Sequence, residues 1–338
     1  MKRWGIVCLL IVPGAFAQVV TTTPRGVALA NSGSLQLFDR SGREVLWSGE
    51  GVDSPTAVIA SSDRIAVIDS INNEARVADL PTGRGRTVHT GETPIDGLFV
   101  GGDFFLLARD ARSLDRIGSD GAKASVAVAA DPAFIRQAGD RIYVYSRAAG
   151  VLQEITISPF AVHRSAQVGP FASDLELDSR NAYLAYPRAA KIGVVSLASM
   201  TSAGNIDVGA VPVDVAFASR STALTARTLA VADPSAKRVW MIEGAQSFTQ
   251  AVTRGFLRGL LGLGLFGGRA SQFPTGVDRV IVRGSAWFAF DTSSGTLYRF
   301  TKSRSVVLAK GIAPSAFSVG PDGVFIWNDA VRRLQRLE

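Results

Sequence analysis

Three aspartates, Asp96, Asp174 and Asp214, sit in nearly the same setting: "PIDGL", "ASDLE" and "PVDVA". Each follows two residues after a proline, or after Ala172 in the proline's place, and each opens a short apolar run. Carboxylates that recur at one phase of a repeat can gather on a common rim. There they would attract a hard cation such as Ca²⁺, or a cationic ligand. The other use of aspartate at such a position is to accept hydrogen bonds from backbone amides where the chain turns. The equivalent residues elsewhere are read as Ala57, Phe134, Gly276 and Ala316, so no complete ring of carboxylates is expected.

Other catalytic chemistry is poorly served. His89 and His163 are the only histidines, and both fall in segments read as outer strands, far from any common centre. Cys8 is the only cysteine, which leaves residues 18–338 without a disulfide, a thiolate nucleophile or a cysteine-ligated metal. No G-x-S-x-G elbow, phosphate-binding glycine loop, H-E-x-x-H or EF-hand loop occurs. Tyr143, Tyr145, Tyr183, Trp240 and Trp287 lie in apolar runs and read as core.

The chain of 338 residues is 47% hydrophobic and 19% charged, enough to bury a large core. At its start, Lys2 and Arg3 precede an apolar run from Ile6 to Val12, and Ala15-Phe16-Ala17 stands before Gln18. That is the order of a cleaved secretory signal, so residues 1–17 are expected to be a signal peptide and the rest to be secreted or periplasmic. The formal charge is +7, carried mainly by scattered arginines. No basic stripe interleaves with aromatics, and no nucleic-acid partner is expected.

The elements that must position the aspartates emerge from a repeat. Aligning Pro55, Pro94, Pro132, Ala172, Pro212, Pro274 and Pro314 gives spacings of 39, 38, 40, 40, 62 and 40 residues. A second column, Asp69, Ser146, Asp233, Asp291 and Asn328, ends apolar runs such as "AVID" and "FAFD", and reads as turn chemistry. Each period holds about four short runs rich in Val, Ile and aromatics, bounded by Gly, Asp, Asn and Ser. Four short strands per period of about 40 residues is the pattern of a β-propeller blade. The expected fold is all-β, with residues 18–338 forming one propeller domain of about eight four-stranded blades. "VVTT", "VALAN", "SLQLFD" and "EVLW" would form the first blade, and a short last unit would close the chain. Seven blades is the alternative, if the two chain ends share one.

These columns resemble the YVTN-type secreted propeller repeat. In it a proline opens the innermost strand, a "YVxN/D" strand follows, and a close such as Ile206-Asp207-Val208-Gly209 precedes the next proline. NHL-type and quinone-binding propellers share the architecture. The wider resemblance to lactonase-like propellers implies an alternative activity: a metal-dependent lactonase or gluconolactonase with Asp96, Asp174 and Asp214 holding a divalent ion. Such relatives also use Glu and Asn ligands at the centre, and no matching set can be placed in this chain. The reading taken from the residues is a non-catalytic propeller, without a cofactor, that binds a protein or small-molecule ligand at its top face and channel mouth.

The long interval holds "TRGFLRGLLGLGLFGG", residues 253–268. As a helix it would gather Phe256, Leu257, Leu260, Leu261 and Leu263 on one side and Arg254 and Arg258 on the other. It is too short and too charged to span a bilayer. The expectation places it between the fourth strand of one blade, near "TQAVT", and the next inner strand, where it could be a lid on the channel mouth. Peripheral membrane or partner contact, and a disordered glycine-rich loop, are the alternatives. For the leader, N-terminal sequencing of the exported protein should return Gln18, and recovery of Met1 would reject cleavage.

Overall fold

The computed structural model describes residues 18–208, 211–218, 228–243, 269–283, 286–301, 304–328 and 331–337. The fold is all-β, a propeller of eight blades. Among the described residues its one helical turn is the 3-10 turn Pro187–Ala189.

Blade one is β1 (Val19–Thr22), β2 (Val27–Asn31), β3 (Ser34–Phe38) and β4 (Val45–Glu50). Blade two is β5 (Ala57–Ala60), β6 (Arg64–Asp69), β7 (Glu74–Asp79) and β8 (Gly85–His89). Blade three is β9 (Pro94–Val100), β10 (Asp103–Ala108), β11 (Ser113–Ile117) and β12 (Lys123–Ala127). Blade four is β13 (Pro132–Ala138), β14 (Arg141–Ser146), β15 (Val151–Thr156) and β16 (Ala161–Gln167). Blade five is β17 (Asp174–Leu177), β18 (Asn181–Tyr186), β19 (Lys191–Ser196) and β20 (Thr201–Asp207). Blade six is β21 (Asp214–Ala218), β22 (Thr228–Asp233), β23 (Arg238–Glu243) and β24 (Arg269–Gln272). Blade seven is β25 (Arg279–Arg283), β26 (Ala286–Asp291), β27 (Thr296–Phe300) and β28 (Ser305–Ala309). Blade eight is β29 (Phe317–Gly320), β30 (Gly323–Asn328) and β31 (Arg333–Arg336). All pairings are antiparallel between sequence neighbours, and among the described residues blade eight alone has three strands.

The chain divides into two compact units, residues 1–164 with 313–338, and residues 165–312. In the first, apolar side chains stack in layers between consecutive sheets. Every residue of β6 is buried, because each face of that strand meets a different layer. Ile65 and Val67 join Leu35, Leu37 and Val58 on one side, while Ala66 and Ile68 join Phe104 and Leu106 on the other. β10 repeats the device: Phe105 and Leu107 leave its opposite face to pack on Ile135, Ile142 and Val144. Strands buried on both faces read as continuous apolar runs, whereas the outermost β8 and β12 are largely exposed.

The two chain ends meet inside this first unit. The Val20 amide donates to the Ser315 carbonyl at 2.9 Å, and the Thr22 amide donates to Ser318 Oγ at 2.9 Å. Val20, Leu29 and Phe38 pack against Phe325 and Leu334. Blades one and eight each keep their own strands, so the count is eight and no blade is shared. In the second unit, Tyr183, Ile192, Val194, Val215, Leu229 and Val231 form one layer. Ala230, Val239, Val280, Trp287 and Phe300 form the next.

The recurring proline column has a structural cause. At the start of each inner strand of blades two to seven, an extra residue is squeezed against one partner. The Thr56, Ser173, Val213 and Asp278 amides donate to the carbonyls of Ile68, Ala185, Ala232 and Phe290, the residues that already face Ala57, Asp174, Asp214 and Arg279. The register also shifts between the pairs Pro94–Ala108 and Asp96–Leu107, and between Pro132–Ser146 and Phe134–Tyr145. Such a bulge bends and twists the strand as it enters the sheet. In blade seven it falls at Asp278, so the residue equivalent to the aspartates is Arg279. The expected Gly276 lies three positions early, because Pro274 stands four residues before the bulge at Asp278, whereas Pro55 and Pro212 stand directly before theirs.

The 62-residue interval also needs correction. The fourth strand of blade six is β24, after the glycine-rich segment, not a strand near "TQAVT". Residues 244–268 therefore link the third strand to the fourth, not the fourth to the next blade. Register places Ala218, Thr228 and the β23–β24 pair Met241–Arg269 at one end of this sheet, and Asp214, Ala232 and the pair Arg238–Gln272 at the other. The segment joins the sheet at the end away from Asp214. Its residues Arg254, Phe256, Leu257, Arg258, Leu260, Leu261 and Leu263 lie outside the described residues.

Phe325 is fully buried in the layer that joins the first and last blades. Phe325→Ala should lower stability by about 3–5 kcal/mol through lost burial and a residual cavity. Chemical denaturation checks this, and an unchanged midpoint would contradict the packing.

Candidate functional site

The innermost strand of each blade has no neighbour on one edge, and its outward amides need acceptors. In the second unit two of the sequence-selected aspartates supply them. Asp174 Oδ2 accepts a hydrogen bond from the Val215 amide at 3.0 Å, and Asp214 Oδ2 accepts one from the Val280 amide at 2.6 Å. Each carboxylate opens one inner strand and binds the second residue of the inner strand in the next blade. The bonds cross between blades and are not the local turn bonds expected for an Asp at this position.

The two carboxyls also meet each other. Burial, then the negative charge of Asp174, push the Asp214 carboxyl well above the ordinary aspartate range, although the Val280 amide and the Arg279 guanidinium pull the other way. A proton on Asp214 lets it hydrogen-bond to Asp174, so the pair can share one proton, a known consequence of two carboxyls at close range. The exchange of a proton is the chemistry this pair can perform, and its geometry is spent on holding strands together.

Asp96, in the first unit, is differently engaged. It is 1% exposed, its Oδ1 accepts from the Gly97 amide at 2.8 Å, and its Oδ2 lies 3.2 Å from Arg136 Nη1 on the next inner strand, β13. The Arg136 guanidinium in turn lies 5.8 Å from the Phe134 ring centroid. Among the described residues no three His, Cys, Asp or Glu side chains gather closely enough to hold a metal ion. His89 and His163 are exposed on the outermost strands β8 and β16. Tyr143, Tyr145, Tyr183 and Trp287 are buried in the core, and burial with the nearby Glu154 carboxylate pushes the Tyr143 hydroxyl up to about 12.

The second column does what aspartate does at turns. Asp69 Oδ1 accepts from the Ile71 and Asn72 amides at 3.0 and 2.9 Å, and its other oxygen reaches the Ser54 amide at 2.8 Å. Asp233 and Asp291 bind Ala236 and Ser293 in the same way. These residues fix the turns that flank the inner-strand entries.

A further pair stands at the inner-strand entry of blade five, Phe171 and Arg188. The residue before the proline column is left-handed in three consecutive blades: Thr93 (φ 54°), Asp131 (φ 56°) and Phe171 (φ 63°). That conformation costs a non-glycine residue about 1–2 kcal/mol. In each case the side chain reaches the turn between the second and third strands of its own blade. Thr93 Oγ1 donates to Asp110 Oδ2 at 2.5 Å, and Asp131 pairs with Arg147 at 3.3 Å. In blade five the polar latch is replaced by an aromatic one. The Arg188 guanidinium carbon lies 5.2 Å from the Phe171 ring centroid, and Phe171 is 52% exposed. Arg188 stands in the 3-10 turn, and its guanidinium donates no hydrogen bond to any described residue. Beside it, Lys191 Nζ lies 5.8 Å from the Tyr186 ring centroid, and Tyr186 is fixed by its hydroxyl donating to the Val168 carbonyl at 2.7 Å. Comparing "GPFAS" with "ETPID" and "ADPAF" could have revealed Phe171, since an aromatic stands where the other blades place Thr or Asp.

No family model matches the chain, and no curated protein matches it by sequence. Solved structures do resemble it. BamB from Moraxella catarrhalis aligns with a TM-score of 0.66 and 9% identity over 98% of this chain and 96% of that one. Hydrazine synthase of Kuenenia stuttgartiensis aligns with a TM-score of 0.61 and 14% identity over 88% and 97%. Virginiamycin B lyase from Staphylococcus aureus aligns with a TM-score of 0.59 and 11% identity over 79% and 89%. At these identities the likeness establishes the propeller fold. Among the described residues no helix is long and apolar enough to cross a membrane.

The raised Asp214 carboxyl has a definite thermodynamic sign. The folded chain holds this proton more tightly than the unfolded chain, so its stabilisation is full below the ordinary aspartate value of 3.8 and is lost as pH rises through the elevated value. Asp214→Asn keeps an acceptor for the Val280 amide and cannot ionise, so it should match the parent in acid and exceed it in stability at about pH 8. Asp214→Ala should lose about 1–3 kcal/mol by orphaning that amide. Thermal melts of the three proteins across this pH range decide it; an Asn variant weaker than the parent at high pH would contradict the assignment.

Proposed function

We propose that this protein is an exported, non-catalytic propeller of the YVTN type, with residues 18–338 acting as one domain, that binds a protein partner on the rim where its inner strands begin. The observation that carries the reading is the Phe171–Arg188 pair. An exposed aromatic beside a guanidinium with open donors brings together two side-chain types that are enriched in protein interfaces. The stacked guanidinium is already oriented, so little entropy is lost when it forks a carboxylate. The partner expected from this chemistry presents an Asp or Glu beside an apolar side chain.

Three further observations support the reading. The aspartates that would have served a metal hydrolase are engaged with amides and with Arg136. The A-x-A sequence before Gln18 fits export. The "I-D-V-G" close and the recurring column fit the secreted repeat.

The test uses fluorescence anisotropy with labelled extended peptides that carry Leu-Glu or Leu-Asp pairs, and matched peptides with Leu-Gln. The acidic peptides should bind in a salt-sensitive manner. Phe171→Ala and Arg188→Ala should each weaken them by at least about tenfold with only a small fall in melting temperature, because both side chains lie on the surface and an exposed cation–π contact is worth about 0.5–1 kcal/mol. Equal binding of acidic and amide peptides, or indifference to both substitutions, would reject the reading.

A further inference from the structure

At the opposite end of the sheets, the first unit contains a cleft of about 360 Å³ lined by Val100, Gly101, Asp103, Arg116, Asp140, Arg141, Ile157 and Ser158. It is formed by the turns that follow the inner strands of blades three and four, together with the last turn of blade four. Its size lies within the range of small-ligand sites. The two arginines in it are in different states.

Arg116 is satisfied. Its Nε donates to Asp103 Oδ2 at 2.6 Å, its Nη2 lies 2.5 Å from the same oxygen, and its Nη1 donates to the Ile157 carbonyl at 3.3 Å. This wall is neutral and fixed. Arg141, at the start of β14, is ion-paired with two carboxylates but not hydrogen-bonded to either. Its Nε lies 3.6 Å from Asp140 and 3.8 Å from Glu154, both beyond hydrogen-bond distance. Glu154 cannot come closer without cost, because its other oxygen is held by Arg164 Nε at 3.1 Å and by a still shorter contact from Arg164 Nη2. Among the described residues the Arg141 guanidinium makes these ion pairs only and donates no hydrogen bond, although its side chain is only 35% exposed. The Ser158 hydroxyl on the same wall is likewise without a partner there. Half-buried guanidinium groups normally find acceptors.

We propose that this cleft binds the carboxylate of a ligand with a small aliphatic body, such as the C-terminal residue of a peptide. Arg141 supplies the fork, Ser158 a further donor, and Val100 with Ile157 the apolar floor. Asp140 is 86% exposed and sits beside the fork, so it opposes the incoming charge and swings into water on binding. This site is independent of the Phe171–Arg188 rim, and neither proposal requires the other.

The probe is acetyl-Gly-Val with a free carboxylate, compared with the same dipeptide as its carboxamide, titrated into the full chain by NMR or calorimetry. The acid should bind saturably and the amide at least about tenfold more weakly. Arg141→Ala should weaken the acid to the level of the amide. Asp140→Asn, a substitution at an exposed position that leaves the fold alone, should strengthen it several-fold. Failure of the acid to bind, equal binding of acid and amide, or an unchanged or weakened affinity in Asp140→Asn would each overturn the proposal. The last variant keeps the test decisive even if Arg141→Ala does not fold.

Discussion

A blade of four strands leaves its innermost edge without a neighbour, and the amides on that edge must be satisfied away from bulk solvent. In blades five and six the chain solves this with one residue placed at one phase of the repeat. A carboxylate at the start of an inner strand accepts the amide of the next inner strand, so Asp174 ties β17 to β21 and Asp214 ties β21 to β25. The bulge at each entry supports this arrangement. By squeezing one extra residue against Ala185, Ala232 or Phe290, it turns the strand so that the residue after it begins the ladder. The apolar layers between sheets then supply the bulk of the stabilisation, but they depend on inner strands held at a fixed spacing and phase.

The same constraint separates structure from function on the rim. Asp174 and Asp214 each accept a backbone amide on Oδ2, and Asp96 is paired with Arg136. In the function proposed above, binding falls to a position where the repeat relaxes its own rule. One residue before the column, Thr93 and Asp131 close polar latches within their blades, while Phe171 forms an aromatic latch and leaves its ring in solvent beside an arginine with open donors. The strained backbone at all three positions belongs to the scaffold; the exposed ring belongs to blade five alone among them.

Much of the architecture could be read from the sequence because the period has a mechanical origin. The proline column marks the bulge, the continuous apolar runs mark second strands buried on both faces, and the aspartates at run ends mark turns. The reading failed where one of these markers was imitated or missing. Pro274 lies three residues early in the connection to blade seven and drew the aspartate phase to Gly276 instead of Arg279. β24, "RASQ", carries no apolar alternation, so nothing in its residues marks the fourth strand of blade six after the glycine-rich segment. The partners of the three aspartates were not legible, since the amides that bind them lie 41 and 66 residues away and Arg136 lies 40 away. Phe171 and Arg188 meet only because a left-handed residue turns one loop toward another, a feature that no spacing rule anticipates.

The central claim is that the rim aspartates serve as acceptors for inner-strand amides and not as ligands of a metal. Hydrogen exchange at single-residue resolution, with and without added Ca²⁺, addresses it directly. The account predicts that the Val215 and Val280 amides exchange slowly, that Ca²⁺ leaves both unchanged, and that Asp214→Ala releases Val280 selectively. Fast exchange at both amides in the parent protein, or exchange that responds to Ca²⁺ through Asp174 and Asp214, would contradict it.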